Sequence, residues 1–373
     1  MILGALGVKR MSSIFGNNIK VSIFGESHGD AIGVTIDNLP AGKKLDLEKV
    51  NIHMKRRAPG QGKLSSSRKE SDNPKIISGF LDGYTTGTPL CALIENNNAH
   101  SKDYENILSI VRPSHADYPG NIKYKGYGDV RGGGHFSGRL TAAMTFAGAV
   151  CIQILNEYGV KIVGHIKSIG NVCDESLDSI NDINKELYDR LTLDNFPVIN
   201  DDIRKHMQEE ILEAKKEDDS IGGQIECGIY GLRPGVGSPI FEGIESVISS
   251  IMFSIPAVKG IEFGSGFDIS RMRGSQANDI FYIENDEIKT KTNHNGGILG
   301  GLSFGMPIIF NVAIKPTPSI GKAQLSVDIK KRENTVLKIE GRHDPCIVSR
   351  ATPIVESAAA IAILDLLAGE NNL

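Results

Sequence analysis

Histidine and arginine recur together in glycine- and proline-rich stretches of this 373-residue sequence. The stretches are RPSHADYPG, RGGGHFSGR and GRHDPC, and MKRRAPGQGK adds further arginine and lysine. The planar guanidinium of arginine suits phosphate and carboxylate groups, and histidine transfers protons near neutral pH. Because the whole chain carries a net charge of -4, these basic clusters predict one converged cationic cavity that binds a polyanion and supplies a general acid.

The stretch GESHG, residues 25–29, fits the G-x-S-x-G pattern of a serine hydrolase, with Ser27 as the nucleophile. In such an enzyme the serine follows several strands, because it must lie at the middle of a sheet. Here the match ends at Gly29, close to the start of the chain, and three fixed positions in five arise often by chance. We therefore favour His28 as the reactive residue and keep the hydrolase as an alternative.

The sequence lacks the patterns of common nucleotide and metal sites. PGQGKL does not have P-loop spacing, and no G-x-G-x-x-G lies between a strand and a helix. The five cysteines form no C-x-x-C pair, which argues against disulfides and zinc and favours a reducing cytoplasm. The net charge argues against nucleic-acid binding. Four histidines without ligand-spaced partners are expected to have core or surface roles rather than to bind a metal: His53, His100, His165 and His206.

Strand and helix patterns occur in mixed runs rather than in a steady βαβα alternation. Strands are predicted in IKVSIFGES, AIGVTIDNLPAG, QIECGIYGL, GIEFG and LSFGMPIIFNVAIKP, and a hairpin pair in KIISGFLDGYTTGTPLCALIEN. This order favours an α+β fold with antiparallel sheets. No short repeat is visible, and a diverged internal duplication stays open.

Two helices are predicted beside the basic clusters. In LDLEKVNIHMKRRA one stripe contains Leu47, Val50 and Met54. The alanine- and glycine-rich SGRLTAAMTFAGAVCIQILNEYG predicts a closely packed helix, with Ser137 as N-cap and Gly159 just past its end. Between the clusters, residues 112–134 are predicted to form a long glycine-rich loop.

The last helix is predicted in TPIVESAAAIAILDLLAG, with Thr352 as N-cap, Pro353 at its first position and Gly369 at its end. Residues 170–218 are acidic, and we expect no site residue there. They include the amphipathic helix DIRKHMQEEILEAKKEDD, whose apolar side carries Ile203, Met207 and Ile211.

The first ten residues, MILGALGVKR, do not have the order of a signal peptide. We interpret residues 1–12 as a flexible extension, with Met11 as an alternative start, and residues 13–370 as a single catalytic domain. The longest apolar run, Thr141 to Leu155, is shorter than the ~18 residues expected of a membrane span.

Ten stretches, taken in order, together resemble the chorismate synthase family. They are FGESHG, RRAPGQGK, GTPLCALIEN, RPSHADYPG, RGGGHFSGR, SIPAVKGIEFGSGF, RGSQAND, NHNGGILGGLSFG, KPTPSI and GRHDPC. The likeness runs from about Ser13 to the last helix, and residues 170–218 match least well. Ten ordered stretches are far more specific than any one of them.

The resemblance implies a helical layer between two antiparallel sheets, assembled as a homotetramer. It implies a lyase that converts 5-enolpyruvylshikimate 3-phosphate to chorismate and phosphate by anti-1,4-elimination, in the shikimate pathway to aromatic amino acids. It also implies reduced FMN, which lends electron density and takes up the departing hydrogen without net redox change. Some members use NADPH as reductant. The ligands are therefore small molecules, with no nucleic-acid or membrane partner.

The resemblance also implies roles for individual residues. His28 corresponds to the acid that protonates the departing phosphate, His115 to a residue near flavin N1, and Asp344 to a carboxylate near flavin N5 that assists proton removal. The implied substrate ligands are Arg57, Lys63, Arg112, Ser137, Arg139 and Arg342. NADP contacts, where they occur, would involve Arg57 and Lys63.

The implied flavin ligands are His135, Phe136, Ser137, Pro256, Ala257, Gly300, Lys315, Pro316, Thr317, Pro318, Ser319 and Arg342. Two positions depart from the commoner family sequence, which has arginine at both. His135 removes a fixed charge, and Lys63 replaces a bidentate anion contact by a single-point one. A flavin-binding protein without lyase activity is therefore a further alternative.

Overall fold

Two antiparallel sheets enclose a layer of helices in the computed structural model, which describes residues 13–60, 64, 72–96, 109–180, 182–339 and 343–370. In spatial order the first sheet contains β1 (Ile14–Phe15), β2 (Lys20–Gly25), β3 (Ala31–Asp37), β7 (Leu90–Glu95) and β4 (Lys75–Ser78). The second contains β11 (Val258–Phe263), β16 (Ile308–Ile314), β10 (Gly223–Tyr230), β8 (Lys161–Ile169) and β9 (Val172–Cys173). The predicted α+β class and its antiparallel sheets are confirmed.

The described residues also form four small hairpins. They pair β5 (Phe80–Leu81) with β6 (Tyr84–Thr85), β12 (Phe281–Glu284) with β13 (Glu287–Thr290), β14 (Ile298–Leu299) with β15 (Leu302–Ser303), and β17 (Gln324–Asp328) with β18 (Glu333–Leu337). The helices are α1 (Leu47–Arg57), α2 (Asp117–Lys123), α3 (Thr141–Glu157), α4 (Lys185–Leu193), α5 (Asp201–Lys216), α6 (Ile244–Met252), α7 (Gly274–Ala277) and α8 (Val348–Gly369).

The order of the main elements repeats along the chain. Inserted elements aside, the first half runs β2-β3-α1-β4-β7-α3 and the second runs β8-β10-α6-β11-β16-α8. In each half the last strand lies between the second and the third, since β7 pairs with both β3 and β4 and β16 pairs with both β10 and β11. The two halves therefore share one topology, as an internal duplication predicts.

Small residues allow α3 and α8 to pack at close range in the helical layer. A Cβ atom on Gly148 of α3 would lie 2.1 Å from the Cβ of Ser357 in α8, so only glycine fits at this point. On their outer sides α3 packs on β3 and β7, and α8 packs on β8 and β10. The predicted close packing of the alanine- and glycine-rich helix is confirmed.

The ends of α3 agree with the predicted caps. The Ser137 side chain accepts a hydrogen bond from the backbone N–H of Arg139, but it caps a short 3-10 turn, Gly138–Leu140, that leads into α3. Gly159 follows the helix with a φ of 77°, a left-handed conformation that suits glycine.

Two local predictions are wrong. Residues 112–134 include α2 and are not loop throughout. The last helix begins at Val348, so Thr352 is not its N-cap and Pro353 lies inside it. Val348 and Ala351 are buried, and Thr352 Oγ1 donates to the Val348 carbonyl at 3.2 Å. Burial in the core stabilises this extra turn, which the Thr-Pro pair alone does not reveal.

Within the part of the chain that the structure describes, two helical segments are long and apolar enough to cross a membrane, Gly138–Glu157 and Val348–Gly369. The sequence-based expectation that the first falls short of that length is therefore wrong. Of the most apolar window in each, 83% and 89% of the residues are buried inside the protein, as is typical of core helices. Their apolar character is explained by the cluster of buried side chains that joins both sheets.

A buried ionic cluster links the acidic segment, residues 170–218, to the second sheet. His165 on β8 is completely buried, and its Nε2 lies 2.8 Å from Glu226 Oε2 and its Nδ1 3.2 Å from Asp174 Oδ2. Asp174 in turn accepts backbone N–H groups from Ile199 and Asn200. Burial alone would lower the pKa of His165, but the two carboxylates outweigh it and the pKa is raised. The predicted core role of this histidine is confirmed.

We expect this cluster to make stability fall as the pH rises. A raised pKa in the folded state stabilises the protein below the unfolded value of about 6.5, and this contribution is lost as the pH rises through the folded pKa. Urea unfolding at pH 6 and pH 9 should therefore show that the free energy of unfolding falls more with rising pH in the wild type than in His165→Gln. The control variant is His206→Gln, because His206 lies on the exposed surface of α5. Equal losses in wild type and His165→Gln would contradict this assignment.

Candidate active site

A cavity of about 600 Å³ opens where the helical layer ends, within the size range of small-ligand pockets. It is lined by the first residues of α3 and α8, the end of α1 and the residues that follow α6. Among the described residues that line it, Asp344 is the sole carboxylate. Six of the described lining side chains are cationic: Arg57, Arg112, Arg139, Lys259, Lys315 and Arg350. The basic clusters of the sequence thus converge.

The GESHG stretch forms a turn between β2 and β3, not the strand–turn–helix of a hydrolase. Asn96 fixes this turn by donating from Nδ2 to the carbonyls of Glu26 at 3.0 Å and Gly29 at 2.8 Å. Its Oδ1 accepts from Arg139 Nε at 2.9 Å. Ser27 lines the cavity, but its surroundings do not support the hydrolase alternative.

Three successive glycines separate His28 from His115. Gly132, Gly133 and Gly134 have φ values of 58°, 89° and 53°, which residues with a side chain rarely adopt. A Cβ on Gly132 would lie 2.4 Å from His28 Nε2, and one on Gly133 would lie 3.3 Å from His115 Nε2. These two distances, two Cα–Cβ bonds and the 3.8 Å between adjacent Cα atoms together place the two Nε2 atoms within about 13 Å of each other. His28 borders the cavity through Gly132, and His115 lines it directly.

Asp117, the first residue of α2, binds two residues of the cavity wall. Its Oδ1 lies 2.6 Å from His115 Nδ1 and accepts from Arg112 Nη2 at 2.7 Å. Its Oδ2 accepts from Arg112 Nε at 2.8 Å and from the Arg112 backbone N–H at 2.9 Å. Burial would raise the pKa of Asp117, but the hydrogen bonds from Arg112 and His115 outweigh it and hold the pKa well below its usual range.

Asp72 joins Arg57 and Arg139 behind the cavity wall. One carboxylate oxygen binds Arg57 Nη1 and the other binds Arg139 Nη1. All three residues are buried, with 3%, 7% and 5% of Arg57, Arg139 and Asp72 exposed. Burial would raise the pKa of Asp72, but the two guanidiniums lower it. Asp72 is thus a counter-ion that the two arginines share, and burial lowers the pKa of Arg57.

Asp344 and Lys315 lie on the side of the cavity near α8. Arg350 Nη1 forms an ion pair with Asp344 Oδ2, and Arg350 Nε donates to the Arg57 carbonyl at 3.0 Å. Thr317 Oγ1 donates to the Asp344 carbonyl at 3.0 Å. Lys315 donates to the Ser114 carbonyl at 3.1 Å, and its pKa is lowered by burial and by Lys259. These contacts join loops from both halves of the chain.

The two residues after the glycines contribute different surfaces. His135 Nδ1 lies 3.0 Å from the Gly25 carbonyl and therefore donates to it, which ties the ring to the end of β2. Phe136 leaves 38% of its surface exposed at the cavity and packs on Tyr124, with ring centroids 5.9 Å apart. The histidine that replaces the family's commoner arginine at position 135 thus makes a backbone hydrogen bond and not an ion pair.

Most of the predicted site residues line this cavity, and a few do not. Gly300, in the turn between β14 and β15, and Pro316 are exposed and do not line it. His28 does not line it either and borders it only through Gly132. Lys63 and Arg342 lie outside the described residues. The sequence interpretation missed Lys259 and Arg350, which line the cavity, and Asp72 and Asp117, which bind arginines that line it. Asp117 follows His115 by two residues, a spacing that could have indicated it.

The α+β fold places cationic side chains, histidine and aspartate around one cavity, an arrangement suited to an enzyme that binds an anionic small molecule and transfers protons. Comparison with known proteins makes this more specific. A family model described as chorismate synthase matches residues 19–368. Chorismate synthase from Thermococcus kodakarensis is 44% identical over 94% of this chain and 96% of its own length. The enzyme from Pyrococcus abyssi is 45% identical over the same shares.

Solved structures agree. A structure titled Crystal Structure of Chorismate Synthase matches with a TM-score of 0.72 and 28% identity, over 95% of this chain and 93% of that one. The chain belongs to the chorismate synthase family. It is accordingly a lyase of the shikimate pathway that forms chorismate, in a family that generally requires a reduced flavin.

Proposed function

We propose that the cavity of this chain binds 5-enolpyruvylshikimate 3-phosphate beside FMN and releases chorismate and phosphate. The proposal is carried by the six cationic side chains that line one cavity in a member of this family. The substrate has one phosphate and two carboxylates, and guanidinium groups are the protein donors best suited to both. The charge of the cavity therefore matches the charge of the substrate.

The residues of the cavity also fit FMN. The exposed ring of Phe136 offers an aromatic wall, and Gly138 has open space where a side chain would be, so the backbone at this helix start is accessible to an anion. Lys315 provides a cation for the FMN phosphate, and other contacts come from Pro256, Ala257, Thr317, Pro318 and Ser319. When bound, the reduced flavin supplies electron density for the elimination and takes up the departing hydrogen.

Protons are handled by three residues in this proposal. His28 donates from Nε2, the atom beside Gly132, to the departing phosphate. His115 and Asp344 act on the flavin side of the cavity. Arg57, Arg112 and Arg139 hold the substrate anions, and the proposed roles of Lys63, Ser137 and Arg342 are the same. An imidazolium at position 28 makes phosphate a better leaving group, because phosphate that receives a proton as it departs is less basic.

We further propose that residues 13–370 act as one domain in a cytoplasmic homotetramer. Large apolar side chains on several hairpins and loops are strongly exposed in the single chain, and surfaces of this kind often mark contacts between subunits. Apart from Tyr127 at 92%, the most exposed of them are Phe241 at 87%, Leu325 at 84%, Phe267 at 81%, Ile240 at 78% and Ile283 at 75%. Burial between copies of this chain accounts for such side chains.

The function is tested by anaerobic incubation with reduced FMN and the substrate, following chorismate absorbance and phosphate release. We expect turnover by the wild type and a fall in kcat of about 100-fold or more for His28→Ala, the usual contribution of a general acid. Ser27→Ala should retain more activity than His28→Ala.

FMN binding without chorismate formation would favour the alternative, a flavin-binding protein without lyase activity. Replacing the chemical reductant by NADPH tests whether the chain reduces its own flavin.

A further inference from the structure

One carboxylate outside the cavity holds an imidazole and a guanidinium that both line it. Asp117 contacts His115 through Oδ1 and Arg112 through both oxygens, at distances from 2.6 to 2.9 Å. The family resemblance implies no role for Asp117. The side chain of Asp117 is 18% exposed and those of His115 and Arg112 are 16% and 10% exposed, so the cluster is largely shielded from water.

The contacts decide which nitrogen of His115 carries the proton. Nδ1 lies 2.6 Å from Asp117 Oδ1 and 3.1 Å from Arg112 Nη2, and it cannot both donate to the first and accept from the second. Asp117 is ionised, because its pKa is lowered by its partners, and a carboxylate only accepts. A bare nitrogen at 2.6 Å from that oxygen would be repelled. Nδ1 is therefore protonated, and the Arg112 contact is made through the shared carboxylate.

We propose that Asp117 is a positioning residue that fixes the proton of His115 on Nδ1 and so leaves Nε2 as the atom that exchanges a proton with a ligand in the cavity. Nε2 faces Gly133, on the side where Gly132 meets His28. The same carboxylate fixes Arg112, so one residue sets the spacing between a proton-transfer group and an anion ligand. The benefit to turnover rests on the function proposed above, whereas the position of the proton does not.

The test uses the whole protein, labelled with ¹⁵N in its histidines and free of flavin. Nitrogen–proton correlation spectra, recorded above the pH at which the rings become neutral, report which nitrogen is protonated, and His115→Gln identifies the signals. We expect the Nδ1–H form of His115 in the wild type and loss of that preference in Asp117→Asn. His135, which donates from Nδ1 to the Gly25 carbonyl, serves as an internal control that stays unchanged.

Steady-state kinetics under anaerobic conditions complete the test. Asp117→Asn should lower kcat on the order of 100-fold, as when a carboxylate that orients a histidine is removed, and should change KM much less. Asp117→Glu should restore part of both the tautomer preference and kcat. An Nε2–H ring in the wild type overturns the proposal whether or not the variants fold. A tautomer that is unchanged in Asp117→Asn, or one that changes without any loss of kcat, also overturns it.

Discussion

Gly132→Ala is expected to lower kcat/KM about 100-fold, the usual effect of displacing a catalytic group by roughly 1 Å. The new methyl group would lie 2.4 Å from His28 Nε2 and 3.0 Å from Ser27 Oγ. Since the next two residues are held by backbone hydrogen bonds, from the Gly133 N–H to the Val130 carbonyl at 3.1 Å and from the Ser27 N–H to the Gly134 carbonyl at 3.2 Å, we expect the imidazole to move. The measurement is chorismate formation under anaerobic conditions, with the melting temperature recorded alongside.

The matched control is Gly126→Ala. Gly126 has a φ of 78°, so alanine is strained there as at Gly132, but no atom lies within 4 Å of the added methyl group. We expect Gly126→Ala to cost some stability and to keep near-normal turnover. Equal loss of activity in the two variants would show that backbone strain, and not contact with His28, is responsible.

Asp72→Asn is expected to lower the free energy of unfolding by about 3 kcal/mol, because it leaves two buried guanidiniums without their counter-ion. Arg57 and Arg139 are almost completely buried, and the Asp72 carboxylate contacts both. The lowered pKa of Asp72 adds a pH dependence: its stabilisation is present above the unfolded value of about 3.9 and is lost as the pH falls through the lower folded value. Urea unfolding at pH 7 and at acid pH measures both effects.

Asp129→Asn provides the control for an ion pair at the surface. Asp129 pairs with Arg131, whose side chain is 48% exposed, and we expect a loss below about 1 kcal/mol. If Asp72→Asn were no more destabilising than Asp129→Asn, Arg57 and Arg139 would not depend on Asp72 for their burial.

The fold could be predicted where local sequence and tertiary contacts agree. Ser137 caps the 3-10 turn that leads into α3 and Gly159 follows the end of α3, because a hydroxyl cap and a left-handed glycine are local signals. The start of α8 was missed for the opposite reason. The pair Thr352-Pro353 has the local signature of a helix start, while the actual first turn is held by the burial of Val348 in a core that no local pattern describes.

The site shows the same division. The converging cations were predictable because glycine-rich loops with arginine and histidine recur in a chain of net negative charge. Their counter-ions were harder to predict, because the chain contains 45 aspartates and glutamates and most of them lie elsewhere. Asp117 could have been found from its spacing to His115, but Asp72 follows a polar stretch, and nothing local connects it with Arg139, which is 67 residues away.

The repeated topology has a consequence for the origin of the cavity. The starts of α3 and α8 are equivalent in the two halves, as are the ends of α1 and α6, and all four border the same space. Neither half encloses that space by itself. A shorter ancestor containing one such unit could have formed this cavity only as a dimer of identical copies. Once the two copies were joined in one chain, each could contribute different loops. An asymmetric reaction could then evolve within a symmetric fold.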